Sequence, residues 1–303
     1  MSTPLAGPEP LIDVHAHFYH AHAGREDWHA LNAARLRAGE RIGITWHVAS
    51  VLGSYGFTSP TYFPSPEDVT LGNDEMLRLC DAEHRRVRMF VTVNPNYTAH
   101  AIAEIERCVA RGAIGVKLLA SRRADDPLLD AIAELAGERG LPVLHHVWQH
   151  RRREWPSQEI SDGADLARLA ARHPRTTFIL AHLGGGGDWA HTYAAIADHP
   201  NILPDVSGSG VDRGMLDQAL DALGPSRLLW GCDLTMCTGL AKLRALEVIG
   251  LDAEWMRAIR WENAARIFPE GAFPNIRPST AGSRPSAGAD GSGAEGRAPR
   301  AVR

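Results

Sequence analysis

From Leu11 to Phe268, short β-branched and aliphatic runs alternate with longer stretches whose apolar positions recur at helical spacing. Eight runs read as strands: Leu11–Val14, Thr45–Leu52, Val87–Val93, Ile114–Leu119, Pro142–His146, Thr177–Ala181, Ile202–Val206 and Leu228–Trp230. Between them, Ile102, Ile105 and Val109 share one helix face, as do Leu128, Ile132 and Leu135, while Pro66 after Ser65 marks a helix start. This alternation is the signature of βα units feeding a parallel sheet. Eight such units predict the α/β class and a closed (β/α)8 TIM barrel, a single domain over residues 11–273. An open doubly wound sheet is the competing architecture, but no G-x-G-x-x-G follows the first run.

The pattern stops at the C-terminus. Pro274 to Arg303 carries almost no large apolar side chains, so burial cannot offset the entropy of ordering it, and residues 274–303 are expected to be a disordered tail. That tail holds five Arg against one Asp and one Glu, which leaves the body more acidic than the whole chain's net charge of −4. No basic footprint for nucleic acid or an anionic membrane results, and the expected partner is a small-molecule substrate, with a homodimer left open. Hydrophobic residues at 44% and charged ones at 22% suit a large buried core and exclude a disordered scaffold. No apolar run is long enough to cross a membrane and MSTPLAGPEP has no signal-peptide pattern, so the expected location is the cytoplasm. The four cysteines form no C-x-x-C pair, which fits reduced thiols.

Histidine, at fifteen residues, is the unusual count, and its placement is more telling than its number. In a β/α barrel the active site gathers at the C-terminal ends of the strands. The first strand runs into Asp13-Val-His15-Ala-His17, the fifth into His145-His146, the sixth into His182 and the eighth into Asp233. The third ends Asn94-Pro95, the fourth carries Lys117, and the seventh ends Asp205-Val-Ser207. Residues i and i+2 of a strand share a face, so His15 and His17 converge at the barrel mouth. With an imidazole from strand five and a carboxylate from strand eight they make a nitrogen and oxygen donor set for one divalent ion, zinc first, with manganese or another divalent ion as alternatives.

IDVHAHF at 12–18, FVTVNP at 90–95, GAIGVKLL at 112–119, GLPVLHH at 140–146, FILAHLGGG at 178–186, LLWGCD at 228–233 and ENAARIF at 262–268 together resemble the amidohydrolase superfamily. Within it they are similar to the amidohydrolase-related group, which also contains aminocarboxymuconate-semialdehyde decarboxylase and the 2-pyrone-4,6-dicarboxylate lactonases. The resemblance implies that His15, His17, His146 and Asp233 are metal ligands. It also implies that His182 hydrogen-bonds the activated water or the substrate, making Asp233 and His182 the catalytic pair. His145 and His146 point to opposite faces of their strand; the group places its ligand four residues after the proline, which after Pro142 is His146.

Lys117 carries two readings: a bridging ligand to a second metal if carbamylated, or an inward cation that binds substrate. Trp148 and Arg151, in the arginine-rich rim segment after strand five, are further candidates for substrate binding. The aromatic loop Gly53 to Pro66 is a candidate lid, and Gly184 to Gly187 fits a close backbone approach to the site. The reaction expected from this set is metal-dependent hydrolysis of a lactone, amide or similar carbonyl, with the bound water's pKa brought down to about 7. The alternative is non-oxidative decarboxylation of a small unsaturated or aromatic acid at the same site.

Overall fold

The computed structural model describes residues 9–22, 26–51, 59–148, 154–155, 158–183, 189–208, 214–233 and 239–276. Seven strands form one parallel sheet in the order β1 (Ile12–Phe18), β2 (Trp46–Val51), β3 (Val87–Val93), β4 (Gly115–Leu118), β5 (Val143–His145), β8 (Phe178–Leu180) and β9 (Ile202–Pro204). The short strands β6 (Glu154–Trp155) and β7 (Gln158–Glu159) form a separate antiparallel ladder beyond β5. The eighth stave is the segment 228–233, joined to each neighbour by two backbone hydrogen bonds. On one side Leu229 bridges Asp205, with Val206 N–H donating to Leu229 O at 2.9 Å; on the other Val14 N–H donates to Trp230 O at 3.1 Å. The sheet thereby curls into the TIM-barrel fold expected from the sequence.

Helices α1 (Trp28–Ile42), α2 (Pro66–Ala82), α3 (Thr98–Val109), α4 (Asp130–Glu138), α5 (Gly163–Arg172), α6 (Trp189–Ile196), α7 (Met215–Leu223) and α8 (Gly239–Ile249) follow the eight staves in turn. Their starts obey local chemistry. Ser65 caps α2 by accepting from Asp68 N–H, with Pro66 in the first turn, and Asp162 forms a reciprocal capping box with Asp165 on α5.

Two apolar layers result from strand alternation. Ile12, Val14, Trp46, Val48, Phe90, Leu144, Ile179, Leu203 and Leu229 fill the barrel, and Val91, Val116, Val143, Phe178 and Ile202 face the helices. Each fully buried side chain of this size stabilises the fold by roughly 1.5–3 kcal/mol. Trp261, Phe268, Phe273 and Ile276 join the inner layer. The packed body therefore runs to Ile276, past the boundary at 273 expected from composition, while the rest of the expected tail lies outside the described residues.

Candidate active site

One irregularity in β1 aims the first two histidines. Ile12 and Asp13 pair with Trp46 and His47, but Ala16, His17 and Phe18 pair with Ala49, Ser50 and Val51, so β1 carries one extra residue between Asp13 and Ala16. Before this bulge Ile12 and Val14 face the barrel interior; after it Ala16 and Phe18 face the helices. The parity flip lets His15 and His17 point inward directly above Val14, the re-aiming role that bulges serve near active sites.

The two imidazoles meet Asp233. His15 Nε2 and His17 Nε2 lie 3.1 Å apart, and Asp233 Oδ1 is 3.2 Å from His17 Nε2 and 3.9 Å from His15 Nε2. All three residues are buried. Asp205 Oδ2 accepts from His15 Nδ1 at 2.8 Å, which leaves the His15 lone pair on Nε2, facing the cluster. His17 Nδ1 is 3.0 Å from Ser50 Oγ, its neighbour across the β1–β2 register. Lys117 Nζ, 1% exposed, donates to His15 Nε2 at 3.3 Å. At the seam Gly231 allows a close approach: a Cβ there would stand 3.1 Å from His15 Cβ and 3.4 Å from Asp205 Cβ, tight enough to press on both.

Burial holds these groups in the protonation states that a cation needs. It lowers His17 and His182 to about 4, and the neighbouring His15 and Lys117 charges add to the effect. It opposes ionisation of Asp233, yet the imidazoles of His182, His17 and His15 outweigh it and keep that carboxyl well below the usual range. Burial also brings Lys117 down to about 8, against the pull of Asp233 and Asp205. At neutral pH His17 and His182 are thus neutral imidazoles beside the Asp233 carboxylate and the Lys117 ammonium. The His15 and His17 nitrogens and an Asp233 oxygen, all within 4.8 Å of one another, form a donor set that fits a divalent metal.

His146 and His182 form the adjoining wall. His182 Nε2 is 3.3 Å from His146 Nδ1, and His182 Nδ1 is 3.1 Å from Ser207 Oγ and 3.7 Å from Asp233 Oδ2. His182 and Asp233 are the non-glycine residues with positive φ, 66° and 53°, among the described residues. Such backbone strain collects at functional sites. The Trp148 ring stacks on His146 at 6.2 Å with an 8° interplanar angle and meets His182 edge-on at 5.9 Å, while Tyr62 lies 5.9 Å from His146.

The expected residues therefore separate into groups. His15, His17 and Asp233 converge as a ligand trio, and Lys117 joins them as a free amine in hydrogen-bond contact with His15. His146 faces the same mouth but touches His182 instead of the trio; His182 instead groups with His15 and Asp205. His145 points outward, fully buried, with Nδ1 donating to His146 O at 2.9 Å. Arg151, Gly184 to Gly187 and residues 53–58 of the candidate lid lie outside the described residues. Sequence reasoning gives no individual role to Asp205 and Ser207, named only as the end of the seventh strand, to Tyr62, inside the candidate lid, or to Ser50. Asp205 alone carried a signal, a carboxylate at the end of the seventh strand; the hydroxyls and the phenol are set by register and loop path.

The amidohydrolase family model matches residues 12–269. No curated protein sequence matches the chain. Solved structures similar to it include 2,6-dihydroxybenzoate decarboxylase from Rhizobium, at TM-score 0.66 and 16% identity over 86% of this chain and 98% of that one. A second is 5-carboxyvanillate decarboxylase from Sphingomonas paucimobilis, at TM-score 0.66 and 17% identity over 86% and 99%. A third, dihydroxybenzoic acid decarboxylase from a Polaromonas species with bound manganese and an inhibitor, has TM-score 0.64 and 17% identity over 86% and 97%. At these identities the likeness is one of fold.

Proposed function

The chain belongs to the amidohydrolase family, and from that premise we propose that it is a divalent-metal-dependent enzyme that decarboxylates a small aromatic or unsaturated carboxylic acid without oxidation. The observation that carries this reading is the buried Lys117 ammonium inside the ligand cluster. A second cation beside a divalent site gives the cavity a positive excess over Asp233 and favours an anionic substrate. The ring walls of Trp148, His146 and Tyr62 suit a planar one. The decarboxylases of similar fold support the same choice over hydrolysis.

His15, His17 and Asp233 would hold the ion with His146, and His182 would face the substrate. When bound, such an ion supplies charge stabilisation to the substrate's oxygens. Zinc is the ion that a nitrogen-rich set favours, and manganese is what the Polaromonas decarboxylase holds. In the reaction the bond from the carboxyl carbon to the ring or chain carbon breaks, carbon dioxide leaves, and the electron pair stays on the remaining carbon. That carbon needs one proton. Asp233 Oδ2 and His182 Nδ1, 3.7 Å apart, are the pair through which a proton from solvent would be passed to it.

Hydrolysis keeps one specific argument: Asp233 stands at the mouth between His17 and His182, a carboxylate placed to meet a water. Metal-loaded protein incubated with hydroxybenzoates, unsaturated diacids, lactones and amides decides between the two. Carbon dioxide release from an acid supports decarboxylation; product acid from a lactone or amide without gas overturns it.

A further inference from the structure

Asp13 lies one step behind the site, and its carboxylate is fully buried. The extra residue in β1 takes the His15 amide out of the regular ladder, and Asp13 Oδ1 accepts that N–H at 3.1 Å. The same oxygen accepts Cys232 N–H at 3.0 Å, across the seam where Val14 N–H donates to Trp230 O. Asp233 N–H, one residue on, donates to His15 O at 2.7 Å. One carboxylate oxygen thus joins the backbone of His15 to the residue preceding Asp233, the two positions that bring ligand atoms from opposite edges of the seam.

The other oxygen is fixed as well. Asp13 Oδ2 is 3.3 Å from Nδ1 of the buried His47, and His47 sits so close beneath α1 that a Cβ on Gly39 would stand 2.6 Å from its Nε2. Arg35, buried on the same helix, faces this pocket and stacks on Phe18 and Tyr19 at 5.2 and 5.3 Å. Burial lowers its pKa to about 10, with Tyr19, Asp13 and Asp233 opposing the shift, so it stays charged at neutral pH and offsets the carboxylate.

We infer that Asp13 is a positioning residue: its Oδ1 ties the His15 and Cys232 amides together across the bulged seam and sets the spacing of the His15 and Asp233 ligand atoms. Groups that orient ligands from behind typically govern metal affinity by 10–100-fold. The inference rests on His15 and Asp233 being ligands, which a His15→Ala control tests separately.

The experiment compares Asp13→Ala, Asp13→Asn and His15→Ala. Manganese binding is followed by titration calorimetry, and amide hydrogen exchange of the 12–18 and 228–233 segments is followed by mass spectrometry on metal-free protein. Asp13→Ala is expected to weaken manganese binding by about 10–100-fold and to speed exchange in both segments. Asp13→Asn keeps a carbonyl acceptor at the same place and is expected to bind within about threefold of the parent and exchange as slowly. Asp13→Ala that binds and exchanges like the parent while His15→Ala loses the metal overturns the inference, as does Asp13→Asn falling as far as Asp13→Ala. Retention of manganese by His15→Ala overturns the ligand assignment instead, leaving amide exchange to decide the role of Asp13. Should Asp13→Ala not fold, Asp13→Asn decides alone: parent-like exchange supports the role and fast exchange overturns it.

Discussion

Asp205 Oδ2 and His15 Nδ1 are 2.8 Å apart with both side chains fully buried, and this bond decides which His15 nitrogen faces the site. Burial alone would push the Asp205 carboxyl up, but the His15 charge and hydrogen bond outweigh it and hold it at about 2. Its second oxygen accepts from the backbone N–H of His182 at 3.2 Å and of Ser207 at 2.9 Å. One aspartate on the seventh stave therefore orients a proposed ligand from the first and the strained turn that carries His182.

Asp205→Ala is expected to lose about 10–100-fold in metal affinity while the barrel stays folded. Titration calorimetry with zinc or manganese, beside circular dichroism, measures both. Unchanged affinity would mean that His15 needs no partner behind it.

Lys117→Met removes the buried ammonium and nearly preserves side-chain length. With Lys117 as a substrate-binding cation, KM for a carboxylate substrate should rise by at least about tenfold, and metal content should remain near one ion per chain. Elemental analysis reads the second quantity. Two ions in the parent and one in the variant would assign the lysine to a bridging carbamate.

Much of this architecture was legible because strands of a barrel are short apolar runs at regular intervals, and every expected run from Thr45 to Val206 contains an observed strand. The last run is different. Leu228 to Trp230 is apolar enough for a strand, yet it is short: Leu229 exchanges bonds with Pro204 and Val206, Trp230 O accepts from Val14 N–H, and Trp230 N–H leaves the barrel wall for Ile259 O. A bulge is one residue's difference between two paired strands, so neither sequence alone contains it. On β5 the alternation is plain: Val143 faces the helices and Leu144 the barrel, so His145 turns outward. Asp205 could not be ranked above other acidic residues, because its importance comes from reaching His15 across 190 positions of chain.

The metal-free protein should lose stability in mild acid. Burial lowers His17, His145 and His182 to about 4 from an ordinary 6.5, so the folded chain keeps them neutral while the unfolded chain takes up protons. Their contribution is complete above pH 6.5 and falls as pH drops toward 4. Asp205, lowered to about 2 from 3.8, adds a further loss only below 3.8. Calorimetric melting of chelated protein between pH 7.5 and 4.5 checks the sign, and a constant melting temperature over that interval contradicts it.

The neighbouring histidines of strands β5 and β8 give the sharpest test of the site. His145 is fully buried against the helices and contacts no ligand atom of the trio, so His145→Ala should cost about 2 kcal/mol or more through the cavity it leaves and should keep metal and turnover. His146→Ala should lose metal affinity and nearly all turnover. His182→Asn should retain metal and lose rate, because its Nδ1 faces Asp233 Oδ2 and Ser207 and its task is to hold a proton. The geometry makes the outcome informative, since His146 Nδ1 and His182 Nε2 are only 3.3 Å apart and either could turn toward an ion. A metal-free His182→Asn beside a metal-retaining His146→Ala would exchange the two roles, placing His182 on the ion with His15, His17 and Asp233 and leaving His146 to face the substrate.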